Sequence, residues 1–407
     1  MPLELAADVF EELSARHQRD SIYANRRILC LAAASILVTV FVIIAAIDSS
    51  RTSSARRYAN AINWKSNAAL HCDDTLGKRR LWFGNIVEFG DFCVPHNLSN
   101  SKIRTDEDQV LKFIVIGDWG RDGMCCQRDV AAEMAVAASR IHPQFVVSVG
   151  DNFYNSGIKS SKDDQVDRSW RDVYIKPYKS LQDVRWKPIL GNHDYAGNVE
   201  ALIDLGKEDS LWHMPSKYYF ETAAGGDVFM AYIDTTVMYY TQQELLALSN
   251  SDELSTSYRD KQVAVIKKEL AESTAKWKII FGHHPFFASD EHTFDEEHNR
   301  RQLQTTLMHV FKEHNVSIYF GGHSHTLEHH HSDGIDFFVS GAGSKISQIH
   351  RNLPTAMFVM DRQGYMIASM DDTKEHLRVQ VIDMRGNIIY TVLRDDPQFP
   401  MSKGIES

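Results

Sequence analysis

The stretch FGGHSHTL, residues 320–327, places His323 and His325 on either side of Ser324, directly after the apolar run VSIYF. Alternate positions of this kind let the two rings point to different places while Ser324 points away. Four other stretches share the design, an apolar run into a glycine with a polar ligand type just after it. They are FIVIGDWG with Asp118, VVSVGDNFY with Asp151 and Tyr154, PILGNHD with Asn192 and His193, and IIFGHHP with His283. Singly, each has an ordinary explanation, since Asp and Asn close turns and tyrosines are commonly half-buried. Together they offer two carboxylates, an amide oxygen, a phenol and three imidazoles, more hard and borderline donors than one ion takes. No thiolate is among them, which disfavours a structural zinc cage. Two metal ions sharing one bridging carboxylate account for the set.

These donors need elements that bring them together. LKFIVIG, FVVSVG, WKPIL, WKIIFG and VSIYFGG are short continuous apolar runs ending at or near glycine, as buried strands do. Between them QRDVAAEMAVAASRI, YRDKQVAVIKKELAES and RRQLQTTLMHVFKEH carry helical spacing and strong helix formers. Strands alternating with helices predict an α/β domain, in which ligands sit at the carboxyl ends of strands. From about Asp336 to Leu393 the pattern becomes strand after strand, which predicts a second, mostly antiparallel sheet. LEHHHSD, residues 327–333, is expected to be a solvated loop beside the site, and SGAGS, residues 340–344, a tight turn.

The rest of the 407 residues sets bounds. The net charge of -10 excludes a basic nucleic-acid surface, so an anionic substrate needs metal ions or a local arginine to hold it. Residues 28–47, ILCLAAASILVTVFVIIAAI, are uncharged and about as long as the roughly 20 residues that span a bilayer. Arg26 and Arg27 precede them and AAIDSS offers a poor cleavage site, so the segment reads as an uncleaved signal anchor with a cytoplasmic N-terminus, the alternative being cleavage near Ser53 to Ala55 and secretion. The expected organisation is a cytoplasmic segment 1–27, a transmembrane anchor 28–47, a stalk and extension 48–109, a catalytic domain 110–394 and a mobile tail 395–407. Sequons at Asn97 and Asn315 suit glycosylation on the lumenal or external side. Cys72, Cys93, Cys125 and Cys126 allow three disulfide pairings there. Cys72 with Cys93 is the favoured pair, and Cys125 and Cys126 are either paired or buried small hydrophobes.

GDWG, GDNFY, GNHD, GHHP and GHSH resemble the signature of the metallophosphoesterase superfamily. The similarity is to the purple acid phosphatases, of the small tartrate-resistant type, and covers about Leu111 to Leu393. It implies a four-layer αββα sandwich with two mixed sheets. It also implies that Asp118, Tyr154 and His325 hold one ion, that Asn192, His283 and His323 hold the other, and that Asp151 bridges them. The wider superfamily has a histidine where this chain has Gly120, and Tyr154 replaces it. A phenolate is a hard anionic ligand, and with it the resemblance implies Fe(III) paired with a divalent Fe, Zn or Mn.

The activity implied is acid hydrolysis of small phosphomonoesters. Two ions about 3.5–4 Å apart clamp the phosphate and activate a water as hydroxide for in-line attack. His193, next to Asn192 and not counted as a ligand, is the expected acid for the leaving group. Asp194 either orients its ring or caps the helix that follows. His284 and Tyr195 stand where mammalian relatives have tyrosine and histidine, and both are expected near the substrate; Ser324 replaces an aspartate of GHDH. Two other classes stay open, a catalytically silent membrane-anchored scaffold of the same fold and a phosphodiesterase acting on nucleotides or phospholipids.

Overall fold

The computed structural model describes residues 80–83, 85–88, 109–248, 254–290 and 296–395. The apolar segment 28–47, Cys30, Cys72, Cys93, Asn97 and the residues after Asp395 lie outside them. The chain divides into two compact units, residues 1–99 and 100–407. Of the first, only an antiparallel hairpin of β1 (Arg80–Phe83) and β2 (Asn85–Glu88) is described.

The second unit carries two mixed sheets. One follows the order β15-β14-β13-β3-β4-β5, in which β3 (Gln109–Ile116), β4 (Phe145–Ser148) and β5 (Arg185–Pro188) run parallel. Beside them β13 (Gly364–Asp371), β14 (His376–Asp383) and β15 (Ile388–Asp395) continue it antiparallel. The other sheet follows β12-β10-β11-β9-β8-β7-β6, with β7 (Val228–Tyr232), β8 (Trp277–Phe281), β9 (Ile318–Gly321) and β11 (Ile335–Ser340) parallel. Its antiparallel members are β6 (Tyr219–Ala223), β10 (Leu327–Ser332) and β12 (Ala356–Met360).

The alternation of side chains along these strands makes the layers. On β3, Leu111, Phe113 and Val115 enter one apolar cluster, which Ile279 and Phe281 of β8, Ile318 and Phe320 of β9, and Met366 and Ala368 of β13 complete between the sheets. Ile114 and Ile116, the alternate residues, enter a second cluster with Val130, Met134 and Ala138 of the helix Gln127–Ile141. Ile280 and Tyr319 likewise meet Ile266, Leu303 and Leu307 of the helices Thr256–Glu272 and Glu297–Glu313. Phe113 stacks on Phe145 of its own sheet at 5.2 Å and meets Phe281 of the facing one edge-on at 5.9 Å. Fully burying such a side chain contributes about 1.5–3 kcal/mol.

Two expectations change. The strands after Asp336 do not form a sheet of their own: β11 joins β9, β12 joins β10, and β13 to β15 extend the sheet of β3. Both faces of β13 are buried, so it stands at a sheet centre. LEHHHSD is not a loop, because Leu327 to Ser332 is strand β10 and its first four side chains are buried. Cys125 is exposed and Cys126 half-buried, both as free thiols, so neither the buried nor the paired reading describes them.

The histidines of β10 are satisfied by acids. His330 meets buried Glu328 at 2.6 Å. Asp336, paired opposite His331 across the hairpin, takes His329 Nε2 at 3.0 Å and His331 Nδ1 at 2.6 Å, and lies 3.3 Å from Arg394 Nε. Burial opposes the Asp336 charge, but these three donors outweigh it and hold the carboxyl well below its ordinary range. Its stabilising contribution is therefore fully present above the unfolded-state value, near 3.8, and is lost as pH falls through the lower folded value. Asp336→Asn is expected to cost on the order of 3 kcal/mol at neutral pH. Denaturant titrations should show that gap to wild type closing at pH values below about 4.

Candidate metal centre

The predicted ligands all stand where strands end. Asp118 follows β3, Asp151 and Tyr154 follow β4, Asn192 opens a helical turn after β5, His283 follows β8, and His323 and His325 follow β9. The two sheets thus present the carboxyl ends of five strands to one place. Asp118, Asp151 and His323 have φ of 60°, 52° and 66°. Such left-handed backbone in residues other than glycine is strained and concentrates at functional sites.

Loops from both sheets are tied together around the donors. His323 N–H donates to both carboxylate oxygens of Asp118, at 3.2 and 3.0 Å. His283 Nδ1–H donates to the carbonyl of Val149 at 2.8 Å, so its Nε2 is free to act as a ligand. A Cβ on Gly120 would lie 1.8 Å from the carbonyl oxygen of Asn152. No histidine fits there without moving that backbone.

The donors fall into two groups. The Tyr154 hydroxyl lies 3.0 Å from Asp118 Oδ1, 2.9 Å from Asp151 Oδ2 and 3.2 Å from His325 Nε2. Asn192 Oδ1 lies 3.2 Å from His283 Nε2 and 3.0 Å from His323 Nδ1, and His283 Nε2 is 3.4 Å from Asp151 Oδ1. Asp151 thus offers one oxygen to each group. Burial first, and then the Asp151 charge, pushes the Asp118 carboxyl well above its ordinary range. Burial, followed by Asp118 and Asp151, does the same to the Tyr154 phenol. At Asp151 burial is outweighed by His283, His193 and His323, and the carboxyl is lowered. Three buried acids crowded together are the surroundings in which a multivalent cation is the fitting counter-charge. Ligand atoms of Asp118, Asp151 and His283 lie within 4.8 Å of one another, as do those of His283, His284 and His323.

The neighbouring residues fare unequally. The His193 ring points Nε2 to within 3.9 Å of Asp151 Oδ2 and stays one-third exposed. Asp194 does not orient it: the ring is held through Nδ1 by the Asn155 carbonyl. Asp194 instead accepts from Gly191 N at 2.9 Å, from Asn152 N and from Asn152 Nδ2 at 2.9 Å, joining the GDN and GNH turns. Its carboxyl is pushed up to about 7 by burial and by Asp151. Asp194 is not the cap of the following helix either, since Asn198 accepts from Glu200 N there. Tyr195 is placed in the core with its hydroxyl 2.5 Å from Asp234, away from the substrate role expected of it. His284 is fully buried, stacked on Tyr239 at 4.2 Å and 4.7 Å from the His323 ring, with Nδ1 on Thr235. Its Nε2 has no partner among the described residues.

Sequence reasoning missed Glu296. Its carboxylate lies 2.7 Å from His323 Nε2 and accepts from Tyr239 O–H at 2.9 Å, which fixes the ring that turns Nδ1 to Asn192. In FDEEHNRR it looks like one charge in a solvated helix start, and nothing local marks it. Glu296→Gln is expected to weaken the Asn192 side of the centre by about 10–100-fold in metal affinity. Titration of the metal-free protein with zinc measures this, and the Tyr154 side should be unaffected.

Residues 111–327 match the family model of the calcineurin-like phosphoesterases. Purple acid phosphatase 4 of Arabidopsis thaliana is 33% identical over 310 residues, covering 72% of this chain and 88% of the relative. The tartrate-resistant acid phosphatase type 5 of Sus scrofa is 29% identical over 265 residues, covering 63% and 76%. Among solved structures, GAP50, the anchor in the inner membrane complex of Plasmodium, shares the fold with a TM-score of 0.59 and 22% identity, over 70% of this chain and 89% of that one. The class that fold and site define is a calcineurin-like phosphoesterase. Within that class the chain belongs to the purple acid phosphatases.

Proposed function

We propose that this chain hydrolyses small phosphomonoesters at acid pH, at a pair of metal ions held by the seven side chains above. Iron(III) is assigned to Asp118, Tyr154 and His325, a divalent iron, zinc or manganese to Asn192, His283 and His323, and Asp151 to both. The observation that carries this reading is that Asp151 turns one oxygen to each of two donor groups, one gathered at Tyr154 and the other at Asn192. When bound, such a pair supplies Lewis acidity toward the phosphoryl oxygens and lowers the pKa of a water.

The chain's own groups do the rest. The Asn155 carbonyl holds the His193 ring at Nδ1, and the His193 backbone N–H donates to Asp151 Oδ1 at 2.9 Å. In the protonated ring Nε2–H faces the centre and gives its proton to the departing alkoxide. His284, whose Nε2 has no hydrogen-bond partner among the described residues and whose ring lies beside His323, is the proposed neighbour of the bound phosphate. Phenolate donation from Tyr154 predicts a visible charge-transfer band. Tyr154→Phe should remove it, read by absorption spectroscopy at known iron content. Turnover of p-nitrophenyl phosphate with little of the bis ester is the expected activity. Failure to turn over either by metal-replete protein would instead favour the silent scaffold.

We assign residues 28–47 to a membrane anchor and the catalytic domain to the lumenal or external side. The uncharged stretch behind Arg26 and Arg27 supports this, as does the exposure of Asn315, the acceptor of its sequon. Glycosidase treatment of the full chain from membranes tests it, with a mobility shift that Asn315→Gln reduces and the double variant with Asn97→Gln abolishes as the expected result.

A further inference from the structure

The Tyr154 ring carries a second contact that neither group of donors explains. Arg121, just past the GDWG turn, lays its guanidinium on that ring, with Cζ 3.4 Å from the centroid. The arginine is built in. Its backbone N–H donates to Oε1 of buried Gln127 at 3.0 Å, and its Nε–H donates to Ser344 Oγ at 3.1 Å. Ser344 in turn donates to the Asp118 carbonyl at 2.6 Å, so the SGAGS turn is a brace behind the first aspartate. No carboxylate stands within ion-pair distance of Arg121 among the described residues. The guanidinium charge also favours the ionised forms of Asp118 and of the Tyr154 phenol.

A guanidinium stacks on an aromatic face through cation–π attraction and planar contact, which a point-charged lysine reproduces only in part. The attraction grows when the ring belongs to a phenolate, since the negative charge spreads into the ring. The positive charge also lowers the filled orbitals of the ring more than those of an ion beyond the oxygen. Transfer of an electron from ring to metal then requires more energy.

We propose that Arg121 is a positioning residue that holds the Tyr154 ring and sets how strongly its phenolate donates to the metal. This rests on the assignment of Tyr154 as an iron ligand. The consequence is a visible band at shorter wavelength, and an iron(III) form easier to reduce, than the same ligands would give without Arg121.

The test compares full-length wild type with Arg121→Gln, Arg121→Lys and, as a control on the neighbouring helix, Arg128→Gln, each with iron content measured. Arg121→Gln should shift the band to longer wavelength at unchanged iron content, Arg121→Lys should shift it less, and Arg128→Gln should leave it in place. Should Arg121→Gln fail to fold or to hold iron, Arg121→Lys decides alone by the same shift. Bands superimposable on wild type in the Arg121 variants would overturn the role of Arg121 while leaving the metal assignment standing. A wild type with no Tyr154-dependent band would overturn both.

Discussion

Asp151→Asn is expected to abolish phosphatase activity, by more than the roughly 10–100-fold that losing an outer partner of a metal ligand costs. Asp151 is the one carboxylate that meets both donor groups, with Oδ2 2.9 Å from Tyr154 and Oδ1 3.4 Å from His283. An amide keeps the shape but exchanges one anionic oxygen for an N–H₂, so at least one group loses its share. Metal content should fall from two ions per chain. Misfolding would be a competing explanation, and the size of the melting difference separates the two. In the metal-free protein the Asp151 charge works against buried Asp118 but is favoured by His283, His193 and His323. Metal-free Asp151→Asn should therefore still melt cooperatively and only modestly below metal-free wild type, whereas the metal-loaded proteins should differ widely. A variant that keeps two ions and its activity would remove Asp151 from the bridging position.

His193→Ala has the second largest expected effect, and its size should depend on the substrate. A positioned general acid is worth about 10²–10⁴-fold, and that loss is expected with alkyl phosphates, whose leaving alkoxide must be protonated. With p-nitrophenyl phosphate the departing phenolate is stable unprotonated, so the loss should be much smaller. Metal content should be unchanged, because Nε2 stays 3.9 Å from Asp151, whereas the visible band should move slightly, since the ring packs on that of Tyr154 with centroids 4.4 Å apart. Equal losses on both substrates would mean that His193 binds phosphate rather than donating a proton.

The convergence of the seven side chains on one place was legible because each lies within a few residues of the end of an apolar run, and a strand end leaves few directions for the side chains just after it. The alternation in His323, Ser324 and His325 was readable for the same reason. Residues whose partners come from distant segments were not. Asp194 directly follows His193 in sequence, yet it serves the GDN turn about forty residues earlier. Tyr195 sits next to the site in the chain and in the core in space, because the short helical turn at Asn192–Tyr195 rotates it inward. LEHHHSD read as polar and therefore solvated. His329 and His330 are buried because Asp336 and Glu328 meet their ring nitrogens, and strand periodicity cannot reveal such pairing. The division of the late strands between two sheets depends on which edges β3 and β9 leave open. Glu296 and Arg121 act on His323 and Tyr154 from loops with no apolar pattern at all.

Metal analysis of the purified full-length protein, with visible absorption of wild type and Tyr154→Phe side by side, tests the shared centre most directly. Two ions per chain, one of them iron, with a band that disappears in Tyr154→Phe, is the predicted result. A single ion, or a band that survives the loss of the phenol, would contradict it.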